Sequence, residues 1–440
     1  MSGIRFGYTP PETIEQFRQI VRTALEREGE LYPALRQRLE QKARELNMYP
    51  EEMERVLREV MALPSVQAAM KIKPPIPFPL KALVVAPDGS GDFHSLEEAV
   101  QEAQPGAILY LKAGIHRLTH PLALDKPLTL IGEGMETTRI ICDGEGYVVS
   151  FSGEGLFRAS DIAFVHEGTN WADAVRANKG EVRFYRCLFT GGVWDEANRR
   201  GGDGLWLYGT VQGHVEACQA TGNRIMGIRV AEQAQPTLEG NTCQGNKGSG
   251  IGYWGSAAGA ARQNTCNGNE KYGIYVAEQA QPTLEGNTCQ GNKECGIAYW
   301  GSAAGAARQN TCNGNEKYGI YVGQQAQPTL EGNTCQGNKG SGIGYWGSAA
   351  GVARQNTCAG NEKNGIYVDE QAQPTLEGNT CRENKGDGIS YWNNASGVAR
   401  NNECTGNGED GIYVASTARP TLRDNQCQGN KGKNVNDQRR

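Results

Sequence analysis

The sequence predicts an all-β solenoid, a parallel β-helix of 23-residue coils preceded by a small α-helical module. Three observations predict it. Nine cysteines, at 243, 266, 289, 312, 335, 358, 381, 404 and 427, are separated by steps of 23 residues. Isoleucine keeps the same step from Ile228 to Ile412, in phase with two asparagine series, Asn241 to Asn425 and Asn223 to Asn430. Between these positions, short apolar runs alternate with Gly and Asn turns in a chain rich in glycine (59 residues). A unit of this length and pattern is one coil of a solenoid, and the sparse leucine excludes an ordinary helical or α/β core. Leucine-rich repeats share the period but need a leucine framework, and calcium-binding nonapeptide rolls need aspartates. This unit has at most one leucine and lacks those aspartates.

Taken in order, residues 1–66 read as helices. Thr9, Pro10, Pro11 and Glu12 have the spacing of a capping box with proline at the first helical position, and Ile14, Phe17, Ile20, Val21 and Leu25 fall on one helical face. Two further amphipathic runs, "LYPALRQRLEQKARELN" and "PEEMERVLREVMAL", complete a three-helix module suited to packing or oligomerisation. Residues 67–81, with "KIKPPIPFPLK", are too proline-rich for helix or central strand and read as a semi-rigid linker. The β-helix is expected over 82–430, with irregular coils over 82–203 and strict repeats over 204–430. A polar tail is expected over 431–440.

Stacking coils at about 4.8 Å gives about 15 coils and a length of about 70 Å, and puts identical positions in columns. Alternation places Ile251 and Tyr253 inward and Gly252 and Trp254 outward. It also places Leu238, Gly240 and Cys243 inward, with Glu239 outward. The cysteines thus form an interior ladder and the asparagines a turn ladder of amides. Two outer columns alternate in charge: Glu239, Arg262, Glu285, Arg308, and Lys247, Glu270, Lys293, Glu316. Like charges stacked at this spacing would repel, so the true module is two coils, 46 residues.

The stretch "ALVVAPDGSGDFHSLEEAVQEAQPGAILYLKAGIHRLTHPLALDKPLTLIGEG" orders a strand, a Gly-rich turn, a short helix and further short strands. It resembles the opening coil of the pectin-lyase-like right-handed parallel β-helix proteins, and Val84 to Val100 resembles the start of pectin methylesterases. The repeat region is similar to the parallel β-helix (PbH1) repeat class, which includes noncatalytic scaffolds. The resemblance implies a right-handed helix with a helix over its first turn. The motif strings of the enzymes are absent: no "GNVDFIFG"-like strand of the methylesterases, no "NTD" or "GHG" of polygalacturonases, no "DPHE" of alginate epimerases.

Charge is nearly balanced, with 44 basic and 49 acidic residues, so no sequence-wide case exists for nucleic acid or membrane as partner. No apolar run reaches the roughly 18 residues of a membrane span, and "MSGIRFGYTPPETIEQF" lacks the apolar stretch of a secretory signal. Cytoplasmic residence is the expectation, with the thiols free and acting as small apolar residues. The spacing of 23 is not that of metal ligands, and none of the five histidines falls within the cysteine series, so neither metal nor cofactor is expected.

Candidate function lies in two places. Trp254, Trp300, Trp346 and Trp392 share one outward column. Tyr275, Tyr321, Tyr367 and Tyr413 share its neighbour, opposite small residues such as Gly252, Ala277, Ala298 and Gly323. Trp206 and Tyr208 begin the strip. This is a stacking platform for sugars, a protein-contact strip, or self-coverage of the sheet. Catalysis needs a unique constellation, and only the irregular coils offer one. "FTGGVWDEANRRGGDG" breaks the coil rhythm and gathers Asp195, Glu196, Arg199, Arg200 and Asp203 beside Trp194. His166 and Glu167, with Trp171 and Asp173, are a lesser set, and His214 is an ordinary coil residue. The leading expectation is a noncatalytic scaffold or binding protein using the aromatic strip to contact a protein partner or polysaccharide. The alternative is a lyase, hydrolase or epimerase of acidic sugars with its site at the irregular coils and the 190–203 loop. Self-association is expected through the C-terminal end of the β-helix, where no capping helix is evident, or through the helical module.

Overall fold

The computed structural model describes residues 11–28, 39, 41–43, 45, 46, 48, 50–61, 63 and 82–439. The chain divides into two units, residues 1–81 and Ala82–Arg440. In the first, helices Pro11–Glu28 and Pro50–Met61 bury the face expected of them: Phe17, Val21 and Leu25 pack with Met53, Val56, Leu57 and Val60. Thr9, most of the central helical run and the proline-rich segment lie outside the described residues.

The second unit is a parallel β-solenoid. Its strands form a 15-stranded sheet from Leu83–Val85 to Thr421–Arg423, a 14-stranded sheet from Leu122–Leu124 to Val435–Asp437, and a third face. The third face consists of a six-stranded and a five-stranded part, joined by single bridges through Thr265, Thr288 and Thr311. It thins there for a local reason. Asn267 and Asn313 accept the Gln290 and Gln336 N–H groups on their side-chain oxygens, in place of a ladder carbonyl. Helix Leu96–Glu102, capped by the Ser95 hydroxyl, buries Leu96, Ala99 and Val100 in the solenoid core near its first strands.

Inside, the columns are those the sequence implies. Cys335, Cys358, Cys381, Cys404 and Cys427 pair in register, all 13 cysteines are free, and burial pushes thiols such as Cys266 and Cys312 well above their ordinary pKa. Each interior asparagine of the ladder satisfies four groups. Asn264, for example, donates to the Asn287 side-chain oxygen and to the Leu238 carbonyl, while its own oxygen accepts from the Asn241 backbone and amide. The ladder runs on into irregular coils with another atom: Cys218 holds the position before Asn241, and its sulfur takes the Cys187 N–H.

Two expectations are corrected. Gly240 is exposed at φ +62° in the turn between the first and third faces, a left-handed conformation that favours glycine, so it lies outside the inward alternation. The segment read as a polar tail adds strand Val435–Asp437 to the second sheet and so continues the coil.

Candidate functional site

The outward face of the 14-stranded sheet carries the irregular charged residues. In Cα register, Arg176 stands over Trp206, Trp206 over Arg229 and Arg229 over Gly252. Three residues before Arg176 and Trp206 come Asp173 and Asp203, on successive coils. Each carboxylate serves the coil above: Asp203 N–H donates to Asp173 Oδ1 at 2.9 Å, and Met226 N–H donates to Asp203 Oδ1 at 3.0 Å. The second oxygens are what distinguish this place. Asp173 Oδ2 and Asp203 Oδ2 are buried without a hydrogen-bond partner, and so are Arg229 Nε, Trp206 Nε1 and Asn178 Oδ1. Buried polar groups are normally paired, and five unpartnered atoms fall together here, the rest being mostly the tyrosine hydroxyls and indole nitrogens spread along the repeats.

Arg229 Nη1 lies 3.5 Å from Asp203 Oδ2, with the arginine side chain 28% exposed and the carboxylate 1%. The same guanidinium sits over the Trp206 and Trp254 rings, 5.2 and 5.6 Å from their centroids, and Arg176 covers Tyr147 at 4.2 Å. Burial pushes the Asp173 carboxyl up to about 8, with the Asp203 charge adding to it. Burial also raises Asp203, to about 6, held lower by Arg229. Burial thus raises both carboxyls, Asp173 the further because the Asp203 charge adds to it while Arg229 holds Asp203 down.

The inserted loop is a small hairpin, Trp194–Asp195 against Arg200–Gly201. Asp195 closes its turn, accepting the Ala197 and Asn198 N–H groups and the Asn198 amide, and these bonds hold its carboxyl below the usual range. Glu196 and Arg199 are exposed on that turn, Arg199 at φ +52°. Arg200 lies over Trp171 at 4.2 Å and pairs with Glu145 at 3.3 Å. His166 is buried, its two ring nitrogens facing the Gly191 and Gly144 carbonyls, and it joins the third face. Of the catalytic candidates, Asp203 is bonded to a second aspartate, Asp173, and Asp195 shares Arg200 with Glu145, at 3.2 and 3.3 Å. Arg176 and Arg229 were missed. The available signal was Arg229 itself, which stands in a column where later coils carry glycine, alanine, serine, tyrosine and finally Asn436.

The aromatic strip is as spaced. Trp254 meets Tyr275, Trp300 meets Tyr321, Trp346 meets Tyr367 and Trp392 meets Tyr413, each pair one coil apart. All these rings are half-buried except Trp392, which is 39% exposed. Tyr253, Tyr299, Tyr345 and Tyr391 point inward and are fully buried, with hydroxyls that find no partner. Among the described residues, no group of three His, Cys, Asp or Glu side chains is arranged to hold a metal ion.

A coiled parallel sheet with stacked amide and thiol ladders defines the class: a β-helix protein with one irregular, charged stretch on its second sheet. The family model described as right handed beta helix region matches residues 148–311 and 305–427, more than half of the chain, and the chain belongs to that family. Among curated proteins it is similar to a probable pectinesterase/pectinesterase inhibitor 12 of Arabidopsis thaliana, 32% identical over 130 residues, 26% of this chain and 24% of that protein. The chain thus spans about a quarter of that relative's length. Among solved structures it is similar to the periplasmic alginate epimerase AlgG, with a TM-score of 0.54 and 14% identity over 78% of this chain and 83% of that one. A double mutant of that epimerase gives 0.53 and 15% over the same shares. These likenesses show the fold. The expected cytoplasmic location finds no support in them, since the epimerase is periplasmic. No helix among the described residues is long and apolar enough to cross a membrane.

Proposed function

We infer that the protein acts on an acidic polysaccharide, as a lyase, hydrolase or epimerase, at the irregular coils bearing Asp173, Asp203, Arg176 and Arg229. The observation that carries this reading is the pair of buried carboxyls on successive coils, Asp203 paired with a partly exposed arginine and Asp173 with an unpartnered second oxygen. Arginine is suited to hold a sugar carboxylate by paired hydrogen bonds. A protonated Asp173 can give a proton to a departing oxygen or to the uronate carboxyl, while an ionised Asp203 takes one. The likeness to a probable pectinesterase over part of the chain favours this reading over a purely structural one.

A second reading keeps the protein noncatalytic, a rigid scaffold that contacts a glycan or a protein through Trp254, Trp300, Trp346, Trp392 and the tyrosines beside them. The ordered strip supports it. One assay separates the two. Incubation with a panel of uronic-acid polysaccharides is expected to yield unsaturated products, new reducing ends or altered uronate stereochemistry. Asp203→Asn is expected to lower that rate about a hundredfold or more. Binding without turnover across the panel would leave only the scaffold.

A further inference from the structure

The face that carries the carboxylates continues without a break. After Arg229 the outward column alternates a small residue and a ring, from Gly252 and Tyr275 to Ser390 and Tyr413. Each tyrosine meets the tryptophan of the preceding coil at a centroid distance between 4.7 and 5.2 Å. One tryptophan–tyrosine platform therefore recurs every two coils, about 10 Å. The small residues make room for rings that lie against the sheet. A Cβ on Gly323 would come within 2.5 Å of the Tyr321 ring, and one on Gly344 within 2.7 Å of Tyr318. Tyr272 and Tyr318 lie against Tyr275 and Tyr321 in turn, at 5.0 and 5.6 Å, and the strip rings stay partly exposed.

A shallow groove runs beside the strip, lined by Ser302, Gln324, Gln325 and Ser348 together with Gly301 and Gly347. It recurs one module further on with Glu370, Gln371 and Asn393. A row of partly exposed aromatic rings parallel to a row of amides and hydroxyls suits a chain of sugar rings, whose CH groups pack on aromatic surface while their hydroxyls hydrogen-bond.

We propose that the strip is an extended polysaccharide-binding track, and that its occupant is a flat, diequatorially β-1,4-linked uronan running along the solenoid axis. In such a ribbon every second residue presents the same ring face after advancing about as far as two coils. A buckled, diaxially linked chain loses that match. The linkage follows from the strip alone, whereas the negative charge of the occupant rests on the reading of Arg176 and Arg229 given above.

Polymannuronate and polyguluronate carry the same charge per residue and differ in chain geometry, so the two are the probes. Titration calorimetry of the full chain is expected to show polymannuronate oligomers binding at least tenfold more tightly than polyguluronate oligomers of equal length. Affinity is expected to rise in steps with every second residue added. Replacing Trp300 and Trp346 together with alanine should lower affinity for long oligomers about tenfold and abolish the stepwise rise with length. Equal affinity for the two polymers, or a smooth rise with length, overturns the track without any variant. Turnover of short oligouronates with no such length dependence overturns the track but leaves the catalytic reading standing. Stepwise binding without turnover does the reverse.

Discussion

Asp173 and Asp203 occupy the same position on successive coils, and what separates them is Arg229, which lies against Asp203. Catalysis by the pair needs Asp203 ionised and Asp173 protonated. With Asp203 at about 6 and Asp173 at about 8, activity should rise with pH through about 6 and fall through about 8. A flat profile of kcat/KM from pH 5 to 9 would sink this assignment. A different residue makes a prediction about stability alone. The hydroxyl of Tyr299 is fully buried and unpartnered, so Tyr299→Phe removes a desolvation cost while keeping the ring that fills the coil. The variant should be about 1 kcal/mol more stable in chemical denaturation. A loss of stability would mean that the hydroxyl has a partner in the core. None of this was legible in the pattern: the inward tyrosines could be placed by alternation, but the fate of their hydroxyls depends on neighbours from adjacent coils.

At the scale of the element, the asparagine ladder ties each coil to its neighbours through buried amides. Asn310 donates to Asn333 and to the Leu284 carbonyl and accepts from Asn287, so Asn310→Ala strands several buried groups. The expected loss is roughly 2–5 kcal/mol, measured by equilibrium unfolding. A loss comparable to that of an exposed residue would show the ladder to be passive. A parallel column on the second sheet uses carboxylates for the same purpose: Asp387 accepts the Asp410 N–H, and its own N–H donates to Asn364. Burial pushes the Asp387 carboxyl up to about 7. The folded state therefore favours the protonated form. Its contribution to stability is full below the ordinary carboxylate range, near pH 4, and is lost as pH rises through about 7. Asp387→Asn keeps the acceptor and removes the titration, so the variant should gain on the order of 2 kcal/mol over the wild type at pH 8 and little at pH 4. Melting curves at the two pH values decide it. The ladder positions were readable because identical residues recur at one spacing. The raised carboxyl was not, since its cause is burial.

For the whole molecule, the doubled module makes a testable claim about how coils add. The outer charges pair across coils, as in Lys247 with Glu270 at 3.0 Å and Arg354 with Glu331 at 3.0 Å. Deleting residues 264–309, two coils, keeps every alternation and should leave a folded, shorter solenoid. Deleting 264–286, one coil, brings Arg262 against Arg308 and Lys247 against Lys293, and sets the tryptophans of Trp254 and Trp300 on adjacent coils. The one-coil deletion should be the less stable of the two, as measured by thermal unfolding; equal stability would mean that the single coil is the unit. By itself the sequence determined the coil, its period, the inward and outward faces, both ladders and the aromatic strip. In a stacked solenoid, sequence separation converts directly into position, so repetition can be read as structure. Only the tertiary structure decided the site. Asp173 and Asp203 are 30 residues apart, not 23, because the hairpin at Trp194–Gly201 lengthens that coil, and no period in the sequence brings them into register. Parallel pairing of Arg176 with Trp206 and of Trp206 with Arg229 absorbs the insertion and sets two buried carboxyls beside an arginine.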